Sequence, residues 1–256
     1  MTENSDTWAT NWTEAEPRRP WSLRRLRSSA RSAYLGVAGM SRRRPGPSLR
    51  CLYAHYVYDD QCARFERLLV QTAKLGRFVS SPELSAALAG EASISSPAYH
   101  LSFDDGWDNL YRNAVPILKQ LGIPATFFVI SGLVGASDSE LRERWWLTDR
   151  VGRPTRTMDW SMVREIADSG FEIGSHTRTH RRLSELASRP DELDDEVRGS
   201  KQEIEDRLSD ALHLDVLPDP SECLQQWVVN NLPLPAPSRI MVPKISASVN
   251  RAFLHL

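Results

Sequence analysis

Apolar and polar positions alternate along the middle of the chain in two distinct periods. Cys51–Tyr58, Tyr99–Asp104, Ala125–Ser131 and Phe171–Ser175 are short apolar runs of the length and composition of buried strands. Between them the apolar positions recur at helical spacing. The spacing predicts helices over Asp60–Gly76, Pro82–Leu88 (with Ser81 as N-cap), Asn109–Leu121, Trp160–Ser169 and Asp191–Leu208. Glycines at 76, 122 and 170 supply stop signals. Strands alternating with helices predict an α/β domain with a parallel sheet or barrel over 51–208.

The flanks have a different texture. Residues 1–20 are polar and read as disordered. Residues 21–40 place Leu23, Leu26, Ala30, Ala33, Tyr34 and Val37 at helical spacing among arginines. That pattern suits an amphipathic helix on an anionic membrane, a helix capping the domain, or a solvated basic extension. Ser41–Ser48 reads as a linker. Residues 1–50 therefore form a basic, largely disordered arm. After Leu208 periodicity fades, Gly199 is the last glycine, and six prolines follow between Pro218 and Pro243. Residues 209–256 read as a divergent or frameshifted tail, with Ala211–Leu217 and Arg239–Ser246 as strand candidates.

Composition narrows the class. The chain has 256 residues, 41% hydrophobic and 25% charged, ample for a packed core. Its net charge is −1, so it is no nucleic-acid-binding polycation as a whole. All ten arginines of residues 1–50 lie between Arg18 and Arg50, against four acids earlier in the segment, so this basic arm precedes an acidic body. No run reaches about 18 apolar residues, and no secretory leader is evident, which predicts a cytoplasmic protein, at most peripheral to a membrane. Cys51, Cys62 and Cys223 show no metal-ligand spacing and read as plain thiols.

Two segments carry candidate chemistry. In Leu101-Ser102-Phe103-Asp104-Asp105-Gly106-Trp107 two carboxylates end a strand beside a glycine, where barrel enzymes build their sites. A turn at Gly106 brings both into one pocket, one to hold a cation and one to take a proton. In Gly174-Ser175-His176-Thr177-Arg178-Thr179-His180 two imidazoles four residues apart follow another strand, a spacing that lets both reach one ion. Taken singly, Asp-Asp-Gly reads rather as a plain turn and His-x3-His as a surface or capping pair. Two His and one carboxylate make an open set for zinc or a neighbouring transition metal. His55 and His100 fall in predicted strands and read as core or near-core residues, with the rim of a pocket as the alternative. Trp107, Trp145 and Trp146 suit core packing or sugar stacking. Asp108 reads as a helix N-cap.

Together, Ser102-Phe103-Asp104-Asp105-Gly106 and Gly174-Ser175-His176-Thr177-x-x-His180 resemble the first two motifs of the polysaccharide deacetylases, the NodB-homology or carbohydrate esterase family 4 group. Met158-Asp159-Trp160, Gly170-Phe171-Glu172-Ile173 and Leu183 fit the same pattern. The resemblance spans Cys51 to Leu208. It implies a distorted, incomplete (β/α) barrel of the NodB type. It implies a divalent metal, zinc or a relative such as cobalt, on Asp105, His176 and His180, with Asp104 as general base. The substrate it implies is an N- or O-acetylated oligo- or polysaccharide. The oligomeric state is left open.

The chain departs from the family pattern downstream. No Arg-x-Pro-Tyr-like run follows Leu208, Trp227 lacks its partner motif, and Leu254-His255 falls at the very end. His213 and His255 are the spare histidines for a general acid. A catalytically inactive metal- or glycan-binding protein on the same scaffold is therefore the rival expectation.

Overall fold

The computed structural model describes residues 8–15, 46–143 and 155–208. Five strands form one parallel sheet: β1 (Ser48–Ala54), β2 (Arg77–Val79), β3 (Pro97–Phe103), β4 (Thr126–Val129) and β5 (Glu172–Ser175). The order β1-β3-β4-β5 is not closed among the described residues, so the α/β domain is an incomplete barrel.

β3 is the hub. β1 pairs along its whole length, from Ser48↔Pro97 to Ala54↔Phe103. The other edge is shared: β2 pairs with Ala98–His100, and β4 pairs with Ser102 and Phe103. The sheet thus forks beside Leu101. β2 is only three residues long and was not expected from the sequence; its Arg77-Phe78-Val79 falls below the length at which alternation is legible. β1 begins three residues earlier than the apolar run suggested and ends at Ala54, so it takes in residues assigned to the basic arm.

The helices pack by their apolar stripes. They are α1 (Trp12–Ala15), α2 (Cys62–Ala73), α3 (Ser81–Leu88), α4 (Val115–Leu121), α5 (Asp138–Glu143), α6 (Trp160–Asp168), α7 (Pro190–Asp194) and α8 (Ser200–Leu208). α6 shows why: Asp159 caps it by accepting from the Met162 amide at 2.9 Å, and Val163, Ile166 and Ala167 bury one face. Phe103 stacks on Phe127 at 4.9 Å, and Phe65 and Phe171 meet them edge-on. This aromatic file anchors helices to the sheet.

Two predicted helices are interrupted. Asn109–Leu121 becomes a π-helical turn, Leu110–Ala114, followed by α4. Pro116 has no amide to give the preceding turn, which favours the wider ladder there. Asp191–Leu208 is α7, a second π turn at Asp195–Gly199, then α8.

The cap of α3 is Ser80 rather than Ser81; Ser80 and Glu83 form a reciprocal capping box. Asp108 is not a cap either: it opens its helix and pairs with Arg112 at 2.8 Å. Residues 8–15, expected to be disordered, include α1 and lie against the domain. The Trp12 amide donates to Asp60 Oδ1 at 3.0 Å, and the Trp12 ring lies 5.9 Å from that of Tyr58. Trp8 donates to Asp138 Oδ2 at 3.2 Å and carries the Arg156 guanidinium over its ring. Burial of tryptophan faces outweighs the polar composition. The amphipathic stretch 21–40, Trp145, Trp146 and the tail 209–256 with His213, Trp227 and His255 lie outside the described residues. No described helix is long and apolar enough to cross a membrane.

Candidate metal centre

Three strands of the sheet end at one place. β3 runs out into Asp104 and Asp105, β5 into His176, and β1 into His55. The Asp104 amide still donates to the Ala54 carbonyl at 3.0 Å, extending the β1–β3 ladder by one residue. The His176 amide donates to Val129 at 2.9 Å and so extends β4–β5 in the same way.

Beyond those residues the backbone turns sharply. Asp105 (φ 73°), Thr177 (φ 65°) and His180 (φ 60°) are the non-glycine residues with positive φ among those described. Gly106 follows Asp105 at φ 74°, so the turn expected at the glycine starts one residue sooner. Left-handed backbone at non-glycine residues costs of order 1–3 kcal/mol each and gathers at functional sites. The His loop is held from two sides. Gly132 donates to the Arg178 carbonyl at 2.9 Å, an approach a Cβ would block at 2.6 Å. Buried Glu196, in the second π turn, accepts from the Thr179 amide at 2.9 Å and from its hydroxyl.

The result brings Asp105, His176 and His180 together, with one ligand atom from each within 4.8 Å of the others. Asp105 Oδ1 lies 3.4 Å from His176 Nε2 and 3.8 Å from His180 Nε2. Burial alone would raise the Asp105 carboxyl. The His176 hydrogen bond and the charges of His55, His176 and His180 instead hold it well below the ordinary carboxylate range. Burial opposes a charged His176, yet its bond to Asp105 and the charge of Asp104 raise it overall. His180 is lowered, by burial and then by His176. An anionic carboxylate with imidazoles opposite is the donor set of a divalent transition metal. The residues present fit such an ion. Asp104 is 3% exposed, and its Oδ1 has no hydrogen-bond partner among the described residues, as is also true of Asp108 Oδ1.

All four predicted site residues therefore converge. His55, read as core or near-core with a pocket rim as the alternative, joins them at the rim: its Nε2 lies 3.9 Å from Asp104 Oδ2, and its side chain is 35% exposed. The signal that finds it is position, since it follows a strand end as Asp104 and His176 do. The strand boundary drawn at Tyr58 hid this. His100, by contrast, is buried midway along β3, away from the strand ends that carry these residues. Trp107 is also buried, and its indole donates to Asp105 Oδ2 at 3.1 Å.

Comparison with known proteins agrees with this geometry. The Bacillus subtilis (strain 168) protein YxkH, named a polysaccharide deacetylase, is 28% identical over 120 residues, covering 47% of this chain and 36% of that protein. The poly-beta-1,6-N-acetyl-D-glucosamine N-deacetylase of Escherichia coli (strain K12) is 32% identical over 101 residues, covering 39% of this chain and 14% of that one. The chain thus spans well under half the length of these two relatives. Among solved structures, IcaB from Ammonifex degensii superposes with a TM-score of 0.55 at 25% identity, covering 71% of this chain and 81% of that one. Residues 93–219 match the polysaccharide deacetylase family, a span that holds both motifs and runs past Leu208. Through that segment the chain belongs to the polysaccharide deacetylase family.

Proposed function

We propose that the chain is a divalent-metal-dependent hydrolase that removes acetyl groups from an N- or O-acetylated carbohydrate. The observation that carries this is the convergence of Asp105, His176 and His180 beside a buried, unpartnered Asp104 oxygen. The substrate class follows from the family and from a relative named as a deacetylase of an N-acetylglucosamine polymer. Asp105, His176 and His180 would hold the ion, with zinc first and cobalt as a working substitute. Bound there, a divalent ion polarises the acetyl carbonyl and makes water a better nucleophile.

The chain's own groups then divide the proton work. Asp104 accepts a proton from the attacking water as its oxygen bonds to the acetyl carbon. The carbon–nitrogen bond, or carbon–oxygen bond in an ester, breaks. His55, half-exposed across from Asp104, gives a proton to the departing amine or alkoxide. Acetate and a free amine or hydroxyl result. His55 offers the acid that the downstream motifs do not, which favours an enzyme over an inactive binding protein.

Acetate release from N-acetylated oligosaccharides, with zinc or cobalt added, tests this. Activity in the wild type and its loss in Asp104→Asn and Asp105→Ala are expected. Equal activity in all three would overturn the assignment.

A further inference from the structure

Trp107 directly follows the Asp-Asp-Gly motif and packs like a core residue. It is 4% exposed, its ring stacks on Tyr56 at 5.4 Å, and its backbone forms an antiparallel bridge with Thr157. Those contacts fix the plane of the indole and so the direction of its single N–H. The N–H points at Asp105 Oδ2, 3.1 Å away. The other oxygen, Oδ1, is the one turned to His176 and His180, at 3.4 and 3.8 Å. The two oxygens of one carboxylate are thereby made unequal, on a residue whose backbone is left-handed.

We propose that Trp107 is a positioning residue of the metal centre: its indole N–H holds Asp105 Oδ2 and reserves Oδ1 as the single oxygen offered to a divalent cation. An indole donates and does not accept, so it satisfies Oδ2 without competing for the ion. A carboxylate without such a clamp is free to rotate or to chelate through both oxygens, and each alternative costs affinity or fills a position that water and substrate need. Tyr56 supports the clamp from behind. It also stacks on His55 at 6.2 Å, so one ring braces the metal ligand's partner and the candidate acid together.

The inference rests on the metal centre proposed above, and the test separates the two. The full chain is titrated with Co2+ against a chelating indicator, and its visible spectrum is recorded, for wild type and Trp107→Phe. Phenylalanine keeps a ring against Tyr56 and removes only the donor. The expected result is an affinity about 10–100-fold weaker with an altered spectrum, as for loss of other outer-shell partners. The thermal midpoint of the metal-free variant should match that of the wild type. Wild type that binds no Co2+ overturns the metal centre itself. Wild type and variant that bind with the same affinity and spectrum overturn the role of Trp107 alone. Should Trp107→Phe fail to fold, tryptophan-labelled wild type is examined by NMR. One slowly exchanging indole proton, displaced by Co2+ more than any other, supports the clamp; none so displaced overturns it.

Discussion

Beside the middle of β3, where β4 and β5 begin, His100, Ser81, Thr126 and Glu172 form one largely buried polar cluster. At the C-terminal ends of β1, β3 and β5, His55, Asp104, Asp105, His176 and His180 form a second polar cluster, open to solvent at His55 and His180. Both set histidine near carboxylate, but the accounts of their polar atoms differ. In the first, the Ser81 hydroxyl meets His100 Nε2 at 3.0 Å and Thr126 Oγ1 at 2.7 Å. Thr126 donates to Glu172 Oε2 at 2.8 Å, and the Ser81 amide lies 3.2 and 3.3 Å from the two Glu172 oxygens. The backbone there is regular, and none of these four residues leaves a buried polar side-chain atom without a partner. This cluster plugs the fork where β2 leaves β3 and β4 joins it.

The second cluster breaks both rules. Two of its members sit at positive φ, and Asp104 Oδ1 lacks a partner. A buried histidine beside a carboxylate is therefore no evidence of a site by itself. Satisfied polar atoms on relaxed backbone indicate a structural plug; orphaned atoms on strained backbone indicate a place kept for a ligand.

Substitutions sharpen that contrast. The largest effect is expected at the strained end: Asp105→Ala or His176→Ala should abolish metal retention after dialysis, read by elemental analysis, and with it acetate release. The metal-free fold should survive, and a variant that keeps its metal would put these residues outside the centre. Next comes His55→Ala. Its loss should slow release from N-acetyl sugars by about 10²–10⁴-fold. It should cost far less with an aryl acetate, whose leaving group needs no proton. An equal loss on both substrates would make His55 structural.

At the satisfied end the readout should switch from activity to stability. Thr126→Val removes the hydroxyl shared by Ser81, His100 and Glu172 and should cost about 1–3 kcal/mol in denaturant unfolding. Metal affinity should stay unchanged. A weakened metal site in this variant would mean that the two ends are coupled.

An effect of pH concerns Asp108, which lies between these extremes. Burial pushes its carboxyl up to about 6 against the pull of Arg112 and Arg156. The folded state thus holds this proton more tightly than the unfolded chain, whose aspartates titrate near 3.9. Stability of the metal-free protein should therefore fall as pH rises from about 4 to about 6, through this one group, and level off above. Asp108→Asn should remove that slope. An unchanged profile of unfolding free energy against pH would assign the slope to other groups.

The two motifs were legible in the sequence because they are local. Asp104-Asp105-Gly106 and His176-x3-His180 each lie within one turn of chain, directly after an apolar run. His55 was legible only as an alternative, at the rim of a pocket, for a plain reason. β1 ends at Ala54, but the apolar aromatic run continues to Tyr58, so periodicity extended the strand over the histidine. The backbone stops pairing where β3 ends at Phe103, and only the register with β3 reveals that. Ser81 was misread in the same way: a serine before a helix signals a cap, yet Ser80 fills that role and Ser81 is drawn into the fork.

The sequence by itself determined the α/β alternation, the two motifs, and the four residues proposed here as three ligands and a base, because each depends on near neighbours along the chain. Tertiary structure alone decided the forked sheet, the docking of Trp8 and Trp12, the arrival of His55, and which oxygen of Asp105 faces the imidazoles. Each of those depends on contacts between segments far apart in sequence. Strand register and ring packing set them, and neither is written in the periodicity of any one segment.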